Sequence, residues 1–316
     1  MPVLDLAPGK NTQRGFWGTD FRLEDGYVHV KSTGVRFKND WQLWADIWRW
    51  FTYYAFVRIR GFWARLTQPA GPRIWFTPHR PRPWYSVWAA PVWGGMRFAR
   101  SPLHADAAFY FEDQTQAPPP EPRHARAFNF GVGDVSKSKV AAVMAEAFGY
   151  ELALDPATHV GEAVEKGEGN GVHDGRRVQC TLEPVSGKAY QRVIKTEGAD
   201  GLACDLRTAC VAGRPVVVFV KKKPASARFS IQNTSVVVKM PEDVFSAAEL
   251  AQLQHFCAAM RLDWGGLDVL REASTGRLFV VDVNKTDTGP AVVLNWRDRT
   301  KATTLLAEAL RKMVEG

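Results

Sequence analysis

An aromatic and largely apolar segment extends from Trp41 to Leu66. Gln42, Asp46 and Arg49 recur in it at intervals of four and three residues, which places them on one face of a helix. The other faces carry tryptophan, isoleucine and phenylalanine, so the pattern predicts an amphipathic helix with a wide apolar side. The longest uncharged stretch, residues 50–57, is eight residues long, whereas a transmembrane span needs about 20 apolar residues.

Three kinds of partner suit such a helix. It can be buried against the rest of the protein or in a dimer interface, or it can rest on a membrane, where aromatic rings prefer the headgroup level. Nucleic acid is the weakest candidate, because arginines are sparse and no recognised binding motif accompanies them. We therefore expect no nucleic-acid partner, and a dimer interface or a membrane-surface contact remains open for residues 41–66.

Short β-like runs follow at residues 73–77, 107–111 and 125–130, with a helical segment between Tyr85 and Met96. The proline-rich stretch 117–122 fits neither a helix nor a central strand. Strand, helix and strand in this order predict a small α/β unit over residues 71–131. No GxGxxG motif accompanies it, so the sequence gives no support for dinucleotide binding.

Lysines cluster at two points of the next segment. Lys137 and Lys139 open an alanine-rich amphipathic segment that ends at Gly149, a natural residue for the end of a helix. Because lysines at a helix start oppose the helix dipole, we expect an anionic group nearby. Lys166 directly precedes four glycines in nine positions, residues 167–175. The backbone N–H groups of such a loop can approach phosphates closely, although a hairpin turn without a ligand explains the glycines about as well.

The last third of the chain predicts two strands joined by a tight turn, residues 266–271 and 278–284. Asp282 and Asn284 are two residues apart and therefore share one face of their strand. Asp268, on the other strand, can lie opposite them. Three oxygen-bearing side chains on one sheet face suit a hard cation such as Mg²⁺, which completes its shell with phosphates and water.

Composition agrees with a folded protein. The 316 residues are 46% hydrophobic and 23% charged, which excludes fibrous and wholly disordered classes. The net charge of +8 is uneven, since residues 1–130 hold 17 basic against 10 acidic residues, and 10 of the 12 tryptophans. Four cysteines without a CxxC pair indicate reduced thiols. The opening residues have neither a basic nor an apolar signal region, so we expect a cytoplasmic location.

The order of these motifs resembles the ATP-grasp superfamily, in particular carboxylate-amine ligases of the ribosomal-protein glutamate ligase and glutathione synthetase type. The resemblance covers about residues 105–312. The matching segments are Lys137 or Lys139, Lys166 with its glycine loop, the hinge-like 190–195, Asp205-Leu206-Arg207, Lys221-Lys222-Lys223, Arg228-Phe229 with Asn233, Gly266–Leu270 and Asp282-Val283-Asn284. The chain departs from the ligase pattern at Asp282, where glutamate is usual, and in residues 285–290, which lack a plain Pro-Gly.

The resemblance implies an α/β ATP-grasp fold at residues 132–316, preceded by the small pre-ATP-grasp unit at 71–131 and the aromatic, basic region at 1–70. It implies ATP and Mg²⁺ as cofactors and a ligase that joins a small-molecule or peptide carboxylate to an amine through an acyl phosphate. The alternative is a kinase that phosphorylates a hydroxyl, which Asp282 favours. The implied nucleotide-binding residues are Lys137, Lys139, Lys166, Gly169, Gly171, Gln191 and Ile194. The implied metal ligands are Asp268, Asp282 and Asn284. The implied catalytic residues are Arg207, Lys222 and Arg228.

Overall fold

The computed structural model describes residues 17–31, 36–122, 124–171, 174–198, 200–227, 234–290 and 292–316. Its first sheet is antiparallel and contains β1 (Phe21–Glu24), β2 (Tyr27–Val30) and β3 (Arg36–Lys38). Directly before β1, the buried carboxylate of Asp20 accepts hydrogen bonds from Arg82 at 2.9 and 3.0 Å. This buried ion pair fixes the small sheet to the following α/β unit.

The predicted amphipathic helix is confirmed as α1 (Trp41–Thr67). Asp40 caps its first turn by accepting a hydrogen bond from the backbone N–H of Leu43 at 3.0 Å. The buried residues Tyr53, Val57, Gly61 and Ala64 lie on one side of the helix. Within the described ranges, no helix combines the length and apolar character needed to cross a membrane.

The predicted α/β unit is also confirmed. It consists of β4 (Arg73–Pro78), α2 (Ser86–Trp93), β5 (Arg97–Phe98), β6 (Ala107–Phe111) and β7 (Ala127–Phe128). The four strands are parallel, in the order β5-β4-β6-β7. Helix α1 packs on α2 at Gly61, where a Cβ atom would lie 2.2 Å from the carbonyl oxygen of Val92. Only glycine permits this close approach, which holds α1 against the unit.

Helix α3 (Lys137–Phe148) begins after Ser136, whose hydroxyl accepts from the backbone N–H of Lys139 at 3.3 Å. It ends as predicted at Gly149, which adopts a φ of +76°. An antiparallel sheet follows, with β8 (Gly161–Gly167), β9 (Arg176–Cys180) and β10 (Lys188–Arg192) in the order β10-β8-β9. The glycine-rich segment therefore connects two strands of a hairpin.

The largest sheet is antiparallel, in the order β13-β12-β11-β14-β15. Its strands and the helices that accompany it are β11 (Leu202–Val211), β12 (Arg214–Pro224), β13 (Ser235–Lys239), α4 (Ala247–Ala259), β14 (Trp264–Arg271), β15 (Leu278–Asn284) and α5 (Trp296–Glu315). The strands predicted at 266–271 and 278–284 are confirmed as β14 and β15.

Two hydrophobic cores lie on opposite faces of this sheet. Alternate residues such as Leu206 and Val218 pack with α3 and α4, whereas Ala209 and Phe219 pack with α1, α2 and α5. The second face therefore joins the sheet to the N-terminal α/β unit. The four cysteines are free, as predicted.

Candidate active site

A row of charged side chains crosses three neighbouring strands of the large sheet. Arg207 on β11 pairs in register with Asp268 on β14, and Asp268 pairs with Asp282 on β15. The prediction that Asp268 lies opposite Asp282 is confirmed. Side chains directly opposite one another in a sheet lie within contact distance, so the three residues form one continuous charged row.

Arg207, at one end of this row, makes two ion pairs. Its guanidinium Nη1 lies 2.9 Å from Asp268 Oδ1, and Nη2 lies 2.5 Å from Asp287 Oδ1. Arg207 and Asp287 are both buried. Gly266 makes room for them, because a Cβ at this position would lie 2.6 Å from Arg207 Nε and 2.8 Å from Asp287 Cγ. A glycine is thus required where the two buried charges meet.

Two cations control the charge of Asp268. Burial by itself would raise the pKa of this carboxyl, but Arg207 and Lys221 outweigh burial and lower the pKa to about 2. Asp268 is therefore ionised at neutral pH. Burial lowers the pKa of Lys221, whose ammonium has no ion-pair or hydrogen-bond partner among the described residues. Lys221 thus adds positive charge beside the row without being neutralised by a contact of its own.

Two acidic side chains lie at the start of α3, and one of them contacts the predicted Lys137. Lys137 is buried, and its Nζ donates to Asp282 Oδ1 at 2.7 Å. Glu168, from the glycine-rich loop, accepts from the backbone N–H of Ser138 at 3.0 Å and also from its hydroxyl. The expected anionic groups are present at this helix terminus, which favours negative charge through its free N–H groups.

The glycine-rich loop also contacts the end of β15. The backbone N–H of Asn170 donates to Thr115 Oγ1 at 2.7 Å. In the amide orientation that suits its neighbours, Asn284 donates its side-chain N–H to Asn170 Oδ1 at 3.0 Å, and its oxygen accepts from Arg207 Nη1 and Nη2 at 2.8 and 2.9 Å. The loop residues Gly169 and Gly171 flank Asn170, and Gly171 has a φ of +73°. The loop therefore lies directly beside the charged row.

Lys166 and Gln191 form a polar pair on the smaller β8–β10 sheet. Lys166 Nζ donates to Gln191 Oε1 at 3.0 Å, while the buried Nε2 of Gln191 has no hydrogen-bond partner in the described structure. A buried amide donor without a partner is costly, and a ligand acceptor would satisfy it. The side chain of Ile194 is buried in the core beside α3.

Two of the predicted site residues, Lys222 and Lys139, are not brought to this cluster. Lys222 lies on the other face of β12, with its Nζ 2.7 Å from Asp200 Oδ2 and its side chain 41% exposed. The neighbouring Lys221, not Lys222, faces Asp268. Lys139 is exposed and near Asp134. Arg228 lies outside the described residues, as do His173 and Asn233.

Sequence reasoning missed two residues, Lys221 and Asp287. Lys221 stood in the Lys221-Lys222-Lys223 run, where the period of two separates the middle lysine from the outer ones but does not say which set faces Arg207. Asp287 lies three residues after Asn284, in a loop that returns to the sheet. Its backbone oxygen accepts from the N–H and hydroxyl of Ser86, both at 2.9 Å. The contact with Ser86 is long-range, so the sequence offered only one hint of a role for Asp287, namely its position three residues after Asn284.

The donor set fits a hard cation. Asp268, Asp282 and Asn284 offer two carboxylates and one amide oxygen, the ligand types that Mg²⁺ prefers. In the described part of the chain no group of three or more His, Cys, Asp or Glu side chains is arranged to hold a metal ion. The protein alone thus provides few ligands here, and Arg207 and Lys137 contact the same oxygens. A cation held there would need further oxygen ligands from outside this residue set.

No protein-family model matches the chain, and no curated protein matches it. Among solved structures, the chain is similar to the ATP-grasp ligase PsnB with precursor peptide PsnA2 and AMPPNP (TM-score 0.49, 10% identity, 79% of this chain and 100% of that chain). In PsnB with a minimal precursor, the similarity covers 60% of this chain and 64% of that chain (TM-score 0.39, 14% identity).

Two further similar structures come from Bacillus species. The L-amino acid ligase of Bacillus licheniformis has a TM-score of 0.48 and 10% identity, over 78% of this chain and 75% of that chain. The D-alanine–D-alanine ligase of Bacillus anthracis with ATP has a TM-score of 0.45 and 10% identity, over 77% of this chain and 97% of that chain. The two PsnB structures are of an ATP-grasp ligase. ATP-grasp is also the superfamily that the order of motifs in this sequence resembles.

Proposed function

We propose that this protein is an ATP-dependent, Mg²⁺-dependent ligase that joins a carboxylate to an amine and forms ADP. The observation that carries the proposal is the charged row Arg207, Asp268 and Asp282, beside which the half-buried Lys221 has no ion-pair or hydrogen-bond partner among the described residues. Buried positive charge next to oxygen ligands for a hard cation is the arrangement that a polyphosphate substrate requires.

The nucleotide would lie between the β8–β10 sheet and the large five-stranded sheet. On the smaller sheet, the unpartnered amide donor of Gln191 offers a hydrogen bond to the adenine base, and Lys166 beside it offers a positive charge. Lys137, at the start of α3, and the backbone of the loop at Gly169 and Gly171 supply further contacts for phosphates. Glu168 occupies the α3 terminus in this structure, so a phosphate placed there would displace a carboxylate.

The reaction has two steps. A carboxylate oxygen of the acceptor attacks the γ-phosphorus of ATP, the bond to the β-phosphate oxygen breaks, and ADP leaves. The amine then attacks the acyl phosphate carbon, loses a proton, and inorganic phosphate leaves as the amide forms. Arg207 and Lys221 would stabilise the negative charge on the transferring phosphoryl group. Asp268, Asp282 and Asn284 would hold Mg²⁺, which neutralises phosphate charge when bound.

The proposal is tested by hydroxylamine trapping. Hydroxylamine replaces the unknown amine, and pools of amino acids, short peptides and other carboxylic acids are supplied with Mg·ATP. A ligase produces a hydroxamate and one ADP per hydroxamate, since the acyl phosphate is captured. With a carboxylate labelled by ¹⁸O, one labelled oxygen passes to inorganic phosphate, because the attacking oxygen stays on phosphorus.

Other products would contradict the proposal. A stable phosphorylated hydroxyl compound without hydroxamate would identify a kinase, and AMP with labelled oxygen would identify an adenylating enzyme. The variant Asp268→Asn tests whether the charged row takes part in the reaction. Asparagine keeps the side-chain shape but removes the negative charge that interacts with Arg207 and Lys221. Hydroxamate formation that persists unchanged in Asp268→Asn would remove the charged row from the reaction.

A further inference from the structure

Helix α1 exposes a continuous apolar surface, which we name the aromatic stripe. It is defined by Trp41, Trp44, Trp48, Ile59, Phe62 and Leu66, all of which are exposed, with Trp41 at 79% and Trp48 at 66%. Steps of three and four residues separate them within each half, and steps of three or four residues through positions 51 and 55 join the two halves. This spacing keeps them on one side of the helix. At 1.5 Å per residue, the stripe is about 37 Å long.

The opposite side of α1 anchors the helix to the protein. Tyr53, Val57, Gly61 and Ala64 are buried there, and the hydroxyl of Tyr53 lies 2.6 Å from that of Thr303 on α5. At 100° per residue, these positions centre about half a turn away from the stripe. The anchored side therefore turns the aromatic stripe directly away from the body of the protein.

Arginines follow one edge of the stripe, where Arg58 and Arg65 lie seven residues apart. On the other flank of α1, Arg60 lies over the ring of Trp93 on α2, 5.8 Å from the ring centroid. The single acidic residue of α1, Asp46, already pairs with Arg49 at 3.2 Å. The stripe thus consists of exposed tryptophan, phenylalanine and aliphatic side chains with one positively charged border.

We propose that the aromatic stripe of α1 docks this protein on the surface of an anionic lipid bilayer, with the helix lying in the plane of the interface. Apolar side chains would enter the boundary between headgroups and acyl chains, and Arg58 and Arg65 at one edge would meet lipid phosphates. Tryptophan suits this level because its ring is apolar while its N–H can be solvated. A patch of this extent on a folded protein marks an interaction surface.

The charges favour a bilayer over a second copy of the chain. Two stripes packed face to face in antiparallel orientation would bring their Arg58 and Arg65 edges together, whereas anionic headgroups complement these edges. Trp41 and Trp48 donate their indole N–H groups to no acceptor in the described chain. A dry dimer interface would bury these donors unsatisfied, but the headgroup region supplies acceptors.

The experiment is vesicle cosedimentation of the full chain. Vesicles of equal parts phosphatidylglycerol and phosphatidylcholine are compared with vesicles of phosphatidylcholine alone, in 0.1 M and 0.5 M salt. We expect binding to the anionic vesicles and a fall of about tenfold or more in the partition coefficient at high salt, where screening is strong. The double variant Trp48→Ala, Phe62→Ala should lose binding about tenfold or more, and so should Arg58→Glu, Arg65→Glu.

Matched controls use exposed positions away from α1. Leu103→Ser changes a side chain that is 89% exposed, and Lys239→Glu reverses an exposed charge on β13. Both should bind vesicles like the wild type, and all variants should melt near the wild-type temperature because the altered side chains are exposed. Absence of binding to anionic vesicles by the folded wild type overturns the proposal. So does a dimer in sedimentation velocity that the stripe variants convert to a monomer, which would assign the stripe to a second copy.

Discussion

Replacing Lys221 with Met, and in parallel Lys222 with Met, tests whether the face of β12 toward Arg207 carries catalysis. The two lysines are adjacent in sequence and lie on opposite faces of one strand. Lys221 contributes positive charge to Asp268, while Lys222 pairs with Asp200 at the exposed side. Methionine keeps most of the side-chain volume in both variants, so the pair differs in location and not in chemistry.

The expected loss follows from the contact that Lys221 would make with a phosphate. A charge-assisted contact contributes about 1.5–3 kcal/mol, which corresponds to a fall of roughly 10- to 150-fold in kcat/KM. Stability should change little or rise, because burial lowers the pKa of Lys221 and the ammonium has no ion-pair partner in the described chain. Lys222→Met removes an exposed ion pair, for which we expect a small change in both quantities.

Hydroxamate formation with hydroxylamine measures kcat/KM, and thermal unfolding without nucleotide measures stability. Equal activity of Lys221→Met and wild type would refute the assignment of this face to the site. A large loss in Lys222→Met with none in Lys221→Met would reverse the assignment. Unfolding of Lys221→Met at 25 °C would show that the lysine stabilises the fold.

Three further predictions concern the surroundings of the charged row. Lys166→Met should weaken ATP binding by about 1.5–3 kcal/mol, and an unchanged dissociation constant in calorimetry would contradict its role. Gly266→Ala places a Cβ 2.6 Å from Arg207 Nε, so it should destabilise by about 1–3 kcal/mol in urea unfolding; wild-type stability and activity would disprove the packing argument. Burial lowers the pKa of Lys285 from 10.5 to about 8, so unfolding takes up a proton between these pH values and stability rises with pH there. Lys285→Met should therefore melt above wild type at pH 7 and lose this advantage near pH 10; an advantage that is equal at both pH values would contradict it.

The sequence alone determined the elements whose signals are local. The periodic pattern of residues 41–66 predicted α1, and the strands at 266–271 and 278–284 followed from their apolar runs and turn. The two-residue period of a strand also placed Asp282 and Asn284 on one face. The tight turn between the two strands indicated that Asp268 can lie opposite them. These features depend on neighbours within a few residues, where backbone geometry limits the choices.

Tertiary structure decided which of these residues meet. The register of β11 against β12 turns Lys221 toward Asp268 and Lys222 away from it, and a shift of one residue would exchange the two lysines. Asp287 reaches Arg207 because its loop is tied to Ser86, 201 positions earlier in the chain. Likewise, the sequence did not specify which part of the wide apolar side of α1 is buried. Packing on α2 and α5 buries one part and leaves the other exposed. Local periodicity specifies which side chains share a face, but only long-range pairing specifies what that face contacts.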